Sequence, residues 1–495
     1  MAEVLEKQYT ARKIAKRQED LLTLGRAALK ASQAEQTEIR MLQSDNALTR
    51  FANSEIHQNT LVRDATVIIT ARQGQREGRV TTNRLTAKAL ADAAERALAA
   101  AQVSAENPDL ADLPEGPFEY PFQVDYYEAT AACTPLQRAQ LVMKGFAVSD
   151  DPAFKAAGTL STEQVNTVIL NSHGVEVAYN TTQARYTVLY TGPDSSGYAE
   201  DTSRNVGDID AEALAVSALS TAKHSANPRR DLPAQPYTVV LGPDCISTML
   251  TFLNWLGFSG KDYVEGSSFL CGKIGEVVTG TDITIVDDPL DPRTMGVPCD
   301  MAGVPRQRLA LIESGVAQAV AHDANSAKRA GTKTTGHDTG WNYPIPANLV
   351  FSTGRETRED LIAGVKHGVY VDRFHYTNVV DPLQTVITGM TRDGTFLIED
   401  GELVTGLTNF RFTQNVLKAL ANCTGIGANH VFQRGFWGGG ALVPKRSAWT
   451  ILVSAARRSS RRSGVQQPDS QGAKPGRGVL STLRGSESGG QGHRV

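Results

Sequence analysis

The sequence predicts an α+β protein: an N-terminal α/β domain of mixed sheet and helices over residues 1–236, a β-rich, barrel-like C-terminal domain over 237–445, and a basic tail over 446–495. Three observations predict it. In the first half, segments with the 3.6-residue spacing of amphipathic helices alternate with β-branched runs. In the second half, short strand-like runs succeed one another between glycine and proline turns, at a spacing that suits a barrel or a curled sheet. Between the halves lies SANPRRDLPAQP (225–236), polar and proline-bearing as a linker is.

Residues 11–32 place Ile14, Leu21, Leu22, Leu24 and Leu29 at helical spacing and predict the first helix. Strands are expected at 38–42 and 66–71, with RFANSEIHQN (50–59) as a turn between short paired strands. Thr86 is placed to cap a helix over 87–101, and the proline-rich stretch 107–120 reads as a loop. Thr134-Pro135 is a cap followed by a first-turn proline, so a third helix is expected through Gly145. A hairpin follows, with one arm at 166–170, a turn at Asn171-Ser172-His173-Gly174 and returning strands over 175–190. A fourth helix is expected over 211–224.

Past the linker, 237–241 reads as a strand and 244–256 as a short apolar helix. Strands are then expected at 274–279, 282–286, 308–312 and 318–322. Asp400-Gly401, between the runs 395–399 and 402–407, is a strong two-residue hairpin signal. Residues 413–422 resemble one more helix. After Lys445 the text turns to arginine, serine and glycine, which cannot build a core, so a disordered tail is expected apart from a short strand at 449–453.

The composition, 41% apolar and 21% charged, is that of a globular protein. The net charge of −3 conceals an asymmetry: nine Lys/Arg against two Asp/Glu from Arg446 onward give the tail +7 and leave −10 on the first 445 residues. The body therefore has no general pull toward nucleic acid, and the tail reads as solvated. Five cysteines without a C-x-x-C pair argue against a disulfide framework or a zinc knuckle and fit a reducing compartment. The first residues show no secretory h-region, and no run reaches the ~18 apolar residues that cross a bilayer. A cytoplasmic protein, neither exported nor membrane-spanning, is expected.

No stretch carries a complete catalytic or metal-binding motif of its own. None of the nine histidines is followed by glutamate. His367 and His375 would lie about 26 Å apart on an extended strand, too far to share an ion without a sharp bend. The segment Gly331-Thr-Lys-Thr-Thr-Gly336 has the glycines of a phosphate loop, but His337-Asp338 follow where Lys-Ser/Thr is required, so a polar surface loop is expected. Gly438-Gly439-Gly440 lacks the strand-then-helix context of a dinucleotide site and reads as a turn. Cys423 and His430 have no third group to orient them, so a structural cysteine is expected.

Four blocks in order, spanning about residues 11–444, resemble the TldD/PmbA family, the peptidase-related proteins also called modulators of DNA gyrase. They are RFANSEIHQN (50–59), NSHG (171–174), VVLGP (239–243) with GSSFLCGKIGE (266–276), and MAGVPRQRLALIESGV (301–316) with the following TGHDTGWNYPIPANL. The resemblance implies a metallopeptidase-like C-terminal domain. In the family's active, TldD-type subunit, the helix after the VVLGP-like strand carries H-E-x-x-x-H, whose histidines bind zinc and whose glutamate activates water. Laid on this chain without gaps, that motif falls on Thr251, Phe252 and Leu256, and a further cysteine ligand falls near Ala428, about a turn from Cys423. The expected site is apolar, desolvated by Phe252, Trp255 and Leu256.

What the resemblance implies is therefore a TldE/PmbA-type subunit with no catalytic, cofactor-binding or metal-binding residues of its own. Zinc is expected on a partner, a TldD-type subunit bearing H-E-x-x-x-H, and an extended or unfolded peptide is the expected substrate of the heterodimer. Two rival readings remain open at this point: a peptidase active by itself with ligands from His367, His375, Cys423 or His430, and a nucleic-acid or gyrase-associated protein using the basic tail. Beyond GGGALVP the family continues with apolar strands. Here Lys445-Arg446 leads into arginine-rich text, as a shifted reading frame would produce.

Overall fold

The computed structural model describes residues 2–229, 232–435, 440–445 and 447–452, all within one compact unit that ends at Ala456. Of the tail expected over 446–495, residues 447–452 form a strand, close to the short one expected at 449–453, and residue 446 and the stretch from 453 onward lie outside the described residues. The class is α+β, as expected. Among the described residues no helix is long and apolar enough to cross a membrane.

The first half is built on a six-stranded antiparallel sheet, β1 (Gln36–Ala52), β2 (Glu55–Gln73), β3 (Arg76–Thr82), β4 (Lys155–Asn171), β5 (Glu176–Thr191) and β6 (Ser196–Ser203), in the order β3-β2-β1-β4-β5-β6. Helices α1 (Ala2–Ala31), α2 (Ala87–Val103), α3 (Glu128–Ala131), α4 (Pro135–Phe146) and α5 (Ala211–His224) accompany it. The strands are far longer than the apolar runs that announce them, because β1 and β2 continue through polar residues to a two-residue turn. Asn53 and Ser54 both take positive φ there, 54° and 61°, as a tight hairpin requires.

Strand alternation sorts the sheet into two faces. Ile39 and Met41 of β1 pack with Leu21 and Ala28 of α1 and with the alanines of α2. Farther along the same face, Phe51, Tyr186 and Val188 pack with Val142 of α4 and Ala215 and Ala218 of α5. The opposite face carries Ile169 and Val177 against Cys299 from the second half. Local signals set the helix starts. Thr86 accepts from Ala89 N (3.3 Å), and Thr134 with Gln137 forms a reciprocal capping box ahead of Pro135. Gly78 lets α2 lie directly on β3, since a Cβ there would fall 2.2 Å from Ala97 O.

The second half comprises β7 (Pro236–Leu241), α6 (Pro243–Gly257), α7 (Gly260–Glu265), β8 (Ile285–Asp287), β9 (Leu309–Glu313), β10 (Val316–Ala317), α8 (Ala324–Ala330), β11 (Asn348–Phe351), α9 (Arg358–Ala363), β12 (His367–Asp381), β13 (Val386–Glu399), β14 (Glu402–Gly406), β15 (Arg411–Asn415), α10 (Val416–Ala421), β16 (Cys423–Ile426), β17 (His430–Arg434), β18 (Gly440–Pro444) and β19 (Ser447–Leu452). The expected barrel is not formed among the described residues. Six strands make one open sheet, β10-β9-β8-β11-β18-β17, and seven make another, β14-β13-β12-β7-β19-β16 with β15 on β13. Helix α6 shares a single core with both: Leu250, Leu253 and Phe252 cluster with Leu311 and Leu349 of the first and with Val239 and Val369 of the second.

Three smaller expectations are corrected. Residues 274–279 are turns rather than a strand, because Gly272 and Gly275 adopt φ of 71° and 86° and only Val277 bridges to Val316. The strand expected at 318–322 is the two-residue β10 just before it. Residues 413–415 belong to β15, and the helix begins at Val416 once Asn415 caps it by accepting from Lys418 N (2.7 Å). The Asp400-Gly401 hairpin is as expected, with φ of 48° and 83°.

Candidate functional site

Strand β7 feeds α6 through Gly242 and Pro243. Proline at the first helical position costs no hydrogen bond, and Gly242 is required because a Cβ would meet Asp372 O at 2.6 Å. The helix then runs into the core. Phe252 and Leu256 are 4 % and 7 % exposed. Thr251 Oγ1 donates to Ser247 O one turn back (2.9 Å). A hydroxyl committed to its own helix, a phenyl ring and an isobutyl group offer zinc no donor set and offer water no base. Zinc does not fit these residues. Trp255 departs from expectation: it is 44 % exposed, so it does not help to desolvate the position, although its ring stands 6.2 Å from that of Phe252.

The remaining candidates are not brought together. His367 and His375 are both exposed, near the start and beyond the middle of β12. Cys423 is half-buried, its Sγ 3.5 Å from Gly425 O. His430 lies in the other sheet, with Nε2 2.7 Å from Phe351 O and Nδ1 3.1 Å from Arg293 Nη1. Both ring nitrogens are thus engaged away from Cys423. Among the described residues no group of three or more His, Cys, Asp or Glu is placed to hold a metal ion, and all five cysteines are free.

Residues 331–336 form a loop whose later half turns inward rather than lying on the surface. His337 is fully buried between Thr335 Oγ1 (2.9 Å from Nδ1) and Asp287 Oδ2 (3.1 Å from Nε2). Asp287 also accepts from the amides of Ala347 and Asn348, and these bonds with His337 hold its carboxyl below the usual range despite burial. The loop beyond is held from both sides. Arg40 of β1 pairs with Asp338 (3.0 Å) and Arg79 of β3 donates to Gly340 O (2.6 Å). At the other end, Tyr343 OH donates to Asp262 Oδ2 (2.5 Å) and Asn254 Nδ2 to Pro346 O (2.8 Å). Of Gly438-Gly439-Gly440, the first two lie outside the described residues and Gly440 opens β18.

A cavity of about 540 Å³ lies where β6 and α5 face the start of α6 and strands β12–β14. Its wall is polar. Arg373 lies over the Tyr198 ring (3.9 Å to the centroid), pairs with Asp393 Oδ2 (2.7 Å) and approaches Asp244 Oδ2 (3.8 Å). Tyr198 OH donates to Glu200 Oε2 (2.7 Å). Burial pushes the Asp244 carboxyl up to about 7 against the pull of Arg373. Such a carboxyl can donate as well as accept near neutrality, which suits main-chain amides and carbonyls. The sequence reading missed this cleft, since Asp244 reads as the polar first turn of an apolar helix and its partners come from distant strands.

Residues 234–448 match the PmbA/TldA metallopeptidase C-terminal domain, and residues 37–101 match PmbA/TldA metallopeptidase domain 1. Over 220 residues, 43% of this chain and 51% of the relative, it is 31% identical to an uncharacterised protein of Methanocaldococcus jannaschii. Over 148 residues, 29% of this chain and 31% of the relative, it is 36% identical to a metalloprotease TldD homologue of Haemophilus influenzae. These alignments span about half or less of the curated relatives' length. The fold is similar to the crystal structure of TldE from Thermococcus kodakarensis, with a TM-score of 0.78 at 22% identity over 87% of this chain and 98% of that one.

Proposed function

Because the chain belongs to the PmbA/TldD metallopeptidase family, we propose that it is the non-catalytic subunit of a two-component zinc peptidase, acting in the cytoplasm. The observation that carries this reading is the state of α6, where Thr251 is bonded within its own helix and Phe252 and Leu256 are core residues. A metallopeptidase needs a metal-polarised, base-activated water at its centre, and these side chains supply neither ligand nor base. Hydrolysis then falls to a partner bearing H-E-x-x-x-H, and this chain shapes the cleft in which an extended peptide lies. The polar cavity beside β6 supports that role, because its hydrogen-bonding groups suit a main chain better than an apolar ligand. Five free thiols fit a reducing compartment.

The test is purification of the chain alone and together with an H-E-x-x-x-H partner expressed beside it. Alone it should hold no stoichiometric zinc and cleave no unfolded peptide; the co-purified pair should do both. Stoichiometric zinc with peptide cleavage in the lone chain would overturn the proposal.

A further inference from the structure

Arg138 heads the fully buried side chains of the fold, its residue only 2 % exposed. It stands in the first turn of α4, immediately after the capping box. From there Nε donates to Thr49 Oγ1 (3.2 Å), Nη1 to Cys133 O (2.5 Å) and Nη2 to Asn59 Oδ1 (2.9 Å). Every acceptor is neutral. The other deeply buried arginines differ, since Arg40 has Glu38 and Asp338 and Arg306 has Asp287. Among the described residues Arg138 has no carboxylate partner.

A guanidinium remains charged at neutral pH, and a charge withdrawn from water without a counter-charge is strongly disfavoured. Three single bonds and the neighbouring Cys133 thiol still leave part of the donor capacity of the two terminal nitrogens unused. Arg138 lines a pocket of about 500 Å³, within the range of small-ligand sites. The walls beside it are short and aliphatic, from Ala47, Ala131, Ala132 and Pro135, with hydroxyls from Thr60 and Thr130. Two carboxylates also line the pocket and are engaged elsewhere. Asp45 accepts from Gln164 Nε2 (2.9 Å) and faces Arg17 and Arg63, and Glu163 accepts from Asn46 Nδ2 (3.3 Å). Their presence disfavours a dianion such as phosphate and leaves room for a single negative charge.

We propose that this pocket binds a carboxylate carried on a short aliphatic stem, the carboxylate accepting from the donor capacity of Arg138 that the protein leaves unused. The stem packs on the alanine wall. The ligand is either the C-terminus of a peptide or a free aliphatic acid, which share this chemistry. The site is separate from α6 and from the cavity beside β6, so it stands whether or not the chain is a peptidase subunit.

The test is calorimetric titration of the full chain with tetra-alanine, tetra-alanine amide and butyrate. At least one of the two acids should saturate, and the amide should bind about tenfold or more weakly than tetra-alanine if a peptide terminus is the ligand. Butyrate binding tighter than tetra-alanine would identify a free acid as the source. Arg138→Gln should abolish saturation. Because that variant also loses three structural bonds, Leu61→Glu serves as the second: Leu61 lines the same pocket, is 54 % exposed, and a carboxylate there should weaken the acids about tenfold without lowering the melting temperature. Failure of both acids to saturate, equal binding of tetra-alanine and its amide with no butyrate binding, or indifference to Leu61→Glu would each overturn the assignment.

Discussion

Arg40 Nη2 lies 3.0 Å from Asp338 Oδ2, an ion pair that joins the first strand of the N-terminal sheet to a loop nearly three hundred residues away in sequence. Glu38 completes the group, its Oε1 2.5 Å from Arg40 Nε. Arg40 and Glu38 side chains are 4 % and 3 % exposed, so solvent cannot replace a lost partner. Arg40→Met should destabilise the chain by about 3–5 kcal/mol, because it leaves carboxylates without their cation. A urea midpoint within error of the parent would contradict this.

Phe252→Glu restores the acid of the family's zinc motif at the position where resemblance sets it. Here the ring is in the core shared by both C-terminal sheets. Its loss alone should cost about 3–5 kcal/mol, with the burial of a carboxyl added. Differential scanning fluorimetry should show a large fall in melting temperature. A variant that melts with the parent would mean that the helix face is accessible after all.

Asp244 makes stability depend on pH in a definite direction. Its folded value is about 7 and its ordinary value 3.8, so between them the folded chain keeps a proton that the unfolded chain has released. Its contribution is complete below about pH 4 and is lost as pH rises through 7. Asp244→Asn should flatten the decline in unfolding free energy over that interval, measured by denaturant titration at several pH values. An unchanged slope would show that the carboxyl is ionised throughout.

Gly401 takes φ of 83°, and an added Cβ would stand 2.9 Å from Ala363 O. Gly401→Ala should therefore cost about 1–2 kcal/mol from the left-handed backbone alone. The change is expected in the unfolding free energy, with the far-ultraviolet spectrum unaltered.

Elements announced by local chemistry were legible before the fold. Thr86 and Thr134-Pro135 begin helices because their side chains satisfy the first free amides, and Asp400-Gly401 turns because glycine accepts positive φ. The apolar text at 251–256 likewise foretold a buried helix. Residues 274–279 misled because Ile274, Val277 and Val278 carry strand propensity while Gly272 and Gly275 bend the chain. The barrel expectation failed for a different reason: strand spacing fixes how many strands there are, not whether the sheet closes. The cleft of Asp244 and Arg373 and the pocket of Arg138 were invisible, because each is assembled from residues more than seventy positions apart, and arginine in a helix ordinarily reads as solvated.

The loop from Gly336 to Asn348 is fastened to β1 and β3 by Arg40 and Arg79 and to α6 and α7 by Asn254 and Asp262. Independent swinging of the two halves about the linker would have to break these bonds together. The consequence is mechanical: denaturation should proceed as one cooperative event, and amide protons of the loop should exchange no faster than those at the centres of the sheets it ties.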